Sequence, residues 1–133
     1  MLGIEYKLAH IGITVSNLED SIDFYRKNFG FKEISRKDKP ELSLKLVSLQ
    51  LGESYLELIE PYFITKIKFV GEKKESLSEL LKKSESHLAL STNKIHSAYL
   101  KLKENKVDIL TDFDEKFFFC KDPDGFLIEV KQR

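Results

Sequence analysis

Apolar and polar positions follow two different periods along the chain, and the switches between them predict its elements. Residues 6–15 (YKLAHIGITV) are rich in β-branched residues and lack helical spacing, which predicts a strand. The period then changes. Leu18, Ile22, Tyr25 and Phe29 recur at offsets 0, 4, 7 and 11, the spacing of one helical face. Asn17 stands at the N-cap place with Asp20 at the third helical position, and Gly30 supplies the left-handed conformation that ends such a helix. Residues 31–37, 42–51 and 54–60 read as three further strands. The polar stretch 37–40 with Pro40 separates the first two, and Gly52–Glu53 forms the turn between the last two. The first half is therefore β-α-β-β-β.

The pattern lapses over 61–84 and then returns. Pro61 stops the strand, 71–74 is a polar turn, and 76–83 (SLSELLKK) predicts a short helix. Ser76 and Glu79 form a capping-box pattern ahead of Leu80 and Leu81. This stretch is read as a connector. Residues 87–92 predict a strand, Asn93 an N-cap, and Ile95, Ala98, Tyr99 and Leu102 a helical face at offsets 0, 3, 4 and 7. Asn105 sits where Gly30 sat, and asparagine is the next best residue for that helix end. Strands are expected at 107–110, 116–120 and 126–131, the last two joined by the Asp122-Pro123-Asp124-Gly125 turn. The expected fold is α+β: one domain over 1–133, made of two tandem βαβββ modules (about 6–60 and 85–133) joined by a connector at 61–84. Each half has an open sheet face that it cannot bury alone, so the halves are expected to associate.

Composition narrows the function classes. The 133 residues carry 22 Lys+Arg against 22 Asp+Glu, a formal net charge of zero. That gives no excess of cations for neutralising phosphates, so nucleic acid is not an expected partner. A hydrophobic share of 41% with 33% charged residues is that of a globular domain. A chain this long can bury roughly 68% of its unfolded surface. The single cysteine cannot form an internal disulfide, no apolar run approaches a membrane span, and the first residues carry no signal-peptide pattern. The expected setting is reduced, soluble and cytoplasmic.

Four residues carry the candidate chemistry. Each half begins with a strand histidine (His10, His87) and ends with a strand glutamate (Glu57, Glu129). Side chains alternate across a strand, so parity sorts them into faces. His10 falls with Gly12 and Thr14, His87 with Ala89 and Ser91, Glu57 with Tyr55 and Ile59, and Glu129 with Leu127. A carboxylate set in an apolar strand must be neutralised, paired or bound to a metal. A single strand histidine is ordinarily a core or rim residue, and a single strand glutamate is ordinarily exposed or paired with lysine. Repetition at equivalent places is what joins the four into an N2O2 donor set for a divalent ion: Zn, Ni, Co or Fe, with the carboxylates widening the choice to Mn. His96 has no counterpart in the first half and reads as solvated.

The stretches HIGITVSNLEDSIDFYRKNFGFKEI (10–34), SYLELIE (54–60), HLALSTNKIHSAYLKLKENKV (87–107) and FFFCKDPDGFLIEV (117–130) resemble the glyoxalase I / bleomycin-resistance / extradiol dioxygenase group, the vicinal oxygen chelate superfamily. The resemblance implies paired βαβββ modules whose curled sheets enclose a metal that chelates vicinal oxygens of the substrate. His10, Glu57, His87 and Glu129 match in order the ligands of the bacterial type of glyoxalase I, lactoylglutathione lyase. Methylmalonyl-CoA epimerases usually have Gln where this chain has Glu57, and fosfomycin-resistance enzymes and extradiol dioxygenases use two His and one Glu. The implied activity is isomerisation of the hemithioacetal of a 2-oxoaldehyde and a thiol through a metal-bound enediolate, with Glu129 as first candidate for the base and Glu57 as its partner. Two departures concern the thiol. The family Arg that holds the glutathione carboxylate is Thr14 here, and the family Asn four residues after the second ligand is Pro61. Glutathione recognition is therefore not supported, and Lys131 or connector lysines are the available cations. The alternatives are a methylmalonyl-CoA-epimerase-like enzyme, or a non-catalytic protein binding a drug or metabolite, with Tyr55, Tyr62, Phe63, Phe117 and Phe119 lining an apolar pocket. The expected partners are a small-molecule substrate and a second copy in a homodimer.

Overall fold

A computed structural model describes residues 3–63, 77–83 and 86–133. The chain divides into two compact units, Met1–Ile64 and Thr65–Arg133. It is a mixed α+β chain with two sheets and few helices.

The first unit runs β1 (Ile11–Thr14), α1 (Leu18–Phe29), β2 (Lys32–Lys39), β3 (Leu44–Leu51) and β4 (Ser54–Pro61). Its sheet has the order β1-β4-β3-β2, with β1 parallel to β4 and the other neighbours antiparallel. Helix α1 starts and stops where its caps direct. The Asn17 side chain accepts the Asp20 amide at 3.0 Å, and Gly30 takes φ +79° while its amide donates to Arg26. Leu18, Ile22 and Tyr25 are buried together with Ile13, Val15, Phe31, Val47, Leu49, Leu56 and Leu58. Tyr25 meets Phe31 edge-on at 5.7 Å.

Three expectations change in this unit. The strand anticipated over 6–15 is paired only over Ile11–Thr14, and Ile4, Tyr6 and Leu8 are almost fully exposed. The partner sets the limit. Ile11 pairs with Leu56, and β4 begins at Ser54, so residues before Ala9 run past the end of β4. Strand β2 continues through the expected break to Lys39, and Pro40 instead opens a 3-10 turn, Pro40–Leu42, where its missing N–H costs nothing. Pro61 is the last paired residue of β4, opposite Leu44, and not the first residue beyond it.

The second unit runs α2 (Leu77–Lys83), β5 (Leu88–Thr92), α3 (Ile95–Glu104), β6 (Phe117–Lys121) and β7 (Leu127–Gln132). Its sheet order is β5-β7-β6, with β5 parallel to β7 and β6 antiparallel to it. Leu88, Ile95, Leu102, Phe118, Cys120, Leu127, Ile128 and Val130 are buried. The turn at 122–125 is held by the buried Asp122, whose Oδ1 accepts the amides of Asp124 (2.9 Å) and Phe126 (2.8 Å), with Gly125 at φ +85°.

The second unit departs further from the expected pattern. The strand at 107–110 is reduced to a bridge between Ile109 and Cys120. The Leu110 amide still donates to Phe119 O and the Lys121 amide to Asp108 O, but the polar stretch 111–115 follows at once and leaves no length for a ladder. Lys94, not Asn93, is the N-cap of α3, and it makes no side-chain cap; Thr92 Oγ1 accepts its amide instead. Asn105 keeps φ −79°, and the left-handed residue falls one later at Lys106 (φ +60°). The capping-box serine, Ser76, and the 71–74 turn lie outside the described residues.

Candidate metal centre

In the first unit His10 stands immediately before β1, and Glu57 lies in β4. The register places Glu57 between Gly12 on β1 and Ser48 on β3. Its neighbours Leu56 and Leu58 are buried against the core, so parity turns Glu57 to the opposite face, where it is half-buried. Glu57 Oε1 is 3.7 Å from His10 Nε2, with side-chain exposures of 21% and 45%.

The second unit repeats the arrangement. His87 stands immediately before β5, and Glu129 lies in β7 between Ala89 and Phe119. His87 Nε2 is 3.3 Å from Glu129 Oε1, with exposures of 34% and 19%. The Phe119 ring meets the His87 ring at 5.4 Å and 63°. Phe117 meets Phe119 edge-on at 6.0 Å.

Each unit thus brings together one of the two expected pairs. No group of three or more His, Cys, Asp or Glu side chains suited to a metal forms among the described residues. The donors nevertheless suit a divalent ion. Two ligands about 2.1 Å from one ion, at an angle between square and tetrahedral, stand about 3.0–3.4 Å apart. The second pair falls in that range and the first is slightly wider. Among the described residues the ionic partner of each glutamate is an imidazole nitrogen and not a lysine. A neutral imidazole and a carboxylate are hard-to-intermediate donors fitting Zn, Ni, Co, Fe or Mn.

The other candidates fall elsewhere. Tyr62 and Phe63 do not join Tyr55. They pair with each other just past β4, and the Tyr62 hydroxyl donates to Asp38, which pushes its pKa up to about 12. Tyr55 is exposed, with its hydroxyl 3.4 Å from Gln50 Nε2. Thr14 and Lys131 are exposed, and His96 is exposed with its ring 4.8 Å from that of Phe113. Cys120 alternates with Phe119 along β6 and is buried, and desolvation with the Asp122 and Asp108 charges pushes its thiol up to about 12.

Two residues behind the pairs carry no signal that sequence reasoning singled out. The first amide of α1, at Leu18, donates to Glu60 Oε1 at 2.8 Å, and the first amide of α3, at Ile95, donates to Gln132 Oε1 at 2.9 Å. Glu60 and Gln132 each follow the pair's glutamate by three residues, a spacing visible in the sequence as Glu-x-x-Glu and Glu-x-x-Gln.

A short parallel first strand led by a histidine, a helix, and a last strand bearing its glutamate define the module class. Residues 7–130 match the Glyoxalase/Bleomycin resistance protein/Dioxygenase superfamily, and the chain belongs to it. The chain is 26% identical to a lactoylglutathione lyase of Escherichia coli O157:H7, covering 93% of this chain and 90% of that protein. It is 25% identical to the mitochondrial methylmalonyl-CoA epimerase of Homo sapiens, covering 95% and 73%. Among solved structures it is similar to the trypanothione-dependent glyoxalase I of Leishmania major, with TM-score 0.78, 25% identity and coverage of 96% and 87%.

Proposed function

We propose that the chain is a divalent-metal-dependent lyase of the glyoxalase I type, converting the hemithioacetal of a 2-oxoaldehyde and a thiol into the thioester of a 2-hydroxy acid. The observation that carries this reading is the repeated pair, with an imidazole Nε2 facing a half-buried carboxylate in each unit. His10, Glu57, His87 and Glu129 would hold one ion of Ni, Co, Zn, Mn or Fe. Bound there, the ion supplies Lewis acidity that polarises the substrate oxygens and acidifies the adjoining C–H. Glu129 takes the proton from the hemithioacetal carbon, leaving an enediolate, and returns it to the neighbouring carbon as general acid. Glu57 is its partner. Phe119 beside Glu129 restricts water on that side of the carboxylate. Thr14 and Pro61 leave the first unit without the cation and amide that would hold a glutathione carboxylate, so the thiol is expected to be a different one. The working form is a homodimer in the cytoplasm: among the described residues β1 and β5 each have one unpaired edge in their own sheets, and such edges favour a partner.

The second reading is epimerisation of an acyl-CoA, supported by the similarity to methylmalonyl-CoA epimerase over 95% of this chain. Both enzymes remove a proton beside a carbonyl, so the same glutamate serves either. The test is metal analysis of gently purified protein followed by a panel of 2-oxoaldehydes with several thiols, run against methylmalonyl-CoA. Turnover of a hemithioacetal with bound metal is the expected result. Turnover of the CoA ester alone selects the second reading, and a protein that binds no divalent ion sinks both and leaves a small-molecule binding module.

A further inference from the structure

We propose that Glu60 and Gln132 are positioning residues: each pins the histidine-bearing strand to the glutamate-bearing strand of its own unit through the first amide of the helix.

The histidine strands are short. β1 has four residues and β5 has five, and each pairs in parallel with the last strand of its unit, the weaker kind of ladder. A slip of one residue moves a side chain about 3.3 Å and turns it to the other face, which would separate histidine from glutamate. The ladder ends at an equivalent place in both units, with the donor on the histidine side in the first and on the glutamate side in the second. A backbone bond closes the end of each pair, Val15 N–H to Ile59 O and Arg133 N–H to Thr92 O, both at 2.8 Å. The side-chain bond follows, from Leu18 N–H to Glu60 and from Ile95 N–H to Gln132.

Leu18 and Ile95 are buried, and the first amides of a helix have no partner within it. Losing the acceptor therefore leaves a donor that must find another, and shifting the helix start is the simplest way to do so. The loop from the histidine strand to the helix spans only 15–17 in the first unit and 93–94 in the second. A shifted helix start is thus passed directly to the strand. Glu60 and Gln132 are three residues beyond Glu57 and Glu129, on the opposite sheet face, so they act from behind the pair without touching it. A carboxylate in one unit and an amide in the other do the same work, which identifies the acceptor oxygen, not the charge, as the shared requirement.

The consequence for metal binding rests on the function proposed above; the pinning itself does not. The test uses the full chain with Glu60→Leu and Gln132→Leu, which remove the acceptor, and Glu60→Gln and Gln132→Glu, which keep it. Two readouts are taken: nickel affinity of the metal-free protein by calorimetry, and nuclear Overhauser effects across the Gly12–Glu57 and Ala89–Glu129 register. The leucine variants are expected to weaken those effects in their own unit only and to bind nickel about tenfold more weakly, in the range seen for outer-shell partners of a metal site. The acceptor-keeping variants are expected to retain both. Leucine variants with intact Overhauser effects and unchanged affinity overturn the proposal and leave Glu60 and Gln132 as plain helix caps. If the wild type binds no nickel, the metal reading fails and the Overhauser effects alone decide the pinning. If a leucine variant does not fold, Glu60→Asp, which draws the acceptor back by a methylene, takes its place: weakened effects support the proposal and intact ones overturn it.

Discussion

The two His–Glu pairs share a backbone plan but differ in their surroundings. Around Glu57 the neighbouring strands offer Gly12 and Ser48; around Glu129 they offer Ala89 and Phe119. The first pair is wider and more exposed, at 3.7 Å against 3.3 Å. Among the described residues no aromatic ring stacks on His10, whereas Phe119 lies edge-on to His87. The same topology has thus produced a small-residue pair and a slightly tighter, aromatic-backed one. On the proposed function the ring beside Glu129 favours it as the base, because a base works best where water is restricted, and a supporting ligand needs no such restriction.

The largest effect expected from this difference is on turnover. Glu129→Gln should lower kcat by roughly 10²–10⁴-fold, the range for losing a general acid–base group. Glu57→Gln should weaken metal binding more than it lowers the turnover of the metal-loaded protein. Steady-state kinetics at saturating metal, with metal titrations beside them, measure both. Equal losses of kcat would erase the division of labour, and full activity in Glu129→Gln would remove Glu129 from the base role.

The pair residues were legible in the sequence because they repeat. Each histidine precedes a β-branched or apolar run and each glutamate interrupts an apolar one, and strand parity then assigns faces. The helices were legible from periodicity, and α1 also from its caps, since Asn17 and Gly30 act locally. What was not legible depends on partners distant in sequence. The length of β1 is set by where β4 begins, the N-terminal capping of α3 by Gln132, 37 residues away, and the fate of 107–110 by the polar stretch that follows it. Tyr62 and Phe63 read as pocket residues from type alone, and the bond to Asp38 draws Tyr62 elsewhere.

The next effect concerns what holds each sheet. Among the described residues the second unit has three laddered strands against four in the first, and its β6 buries Phe118 fully, with Tyr99 edge-on at 5.4 Å. Phe118→Ala should cost about 3–5 kcal/mol, the usual range for a buried phenylalanine. Leu58→Ala, in one of the two inner strands of the four-stranded sheet, should cost about 2–5 kcal/mol, and toward the lower end. Urea unfolding compares them. A smaller loss at Phe118 than at Leu58 would refute the idea that the narrower sheet leans on its aromatic row.

Alkaline pH separates the units in another way. Cys120 in the second unit is raised from 9.0 to about 12 by burial, and Tyr62 in the first is raised from 10.0 to about 12 by its exposed bond to Asp38. Both groups are more protonated when folded than when unfolded. Their contribution is therefore complete below the unfolded value and is lost as pH rises toward about 12. The loss should be steeper for Cys120, whose thiolate would be buried, than for Tyr62, whose phenolate meets water. Stability measured at pH 8 and at pH 10.5 should fall less in Cys120→Ala than in the wild type, while Tyr62→Phe should follow the wild type closely. Identical slopes for the wild type and Cys120→Ala would show that the thiol stays accessible to water.

The smallest effect bears most directly on the two pairs. Phe119→Leu keeps an apolar side chain on the Glu129 face but removes the ring edge from His87, making the second pair more like the first. Edge-on packing between aromatic rings is worth about 1 kcal/mol, so the fold should survive with a modest decrease in stability. The informative readout is the His87 ring, whose carbon resonances should broaden or average as it gains rotamers, while those of His10 stay as they were. Metal affinity should fall a few-fold, because the donor must now be ordered on binding. Ordering of His87 by the Phe119 ring is ruled out if the His87 ring stays fixed and the affinity is unchanged. The distance between His87 and Glu129 would then be set by the β5–β7 register, as the distance between His10 and Glu57 is by β1 and β4.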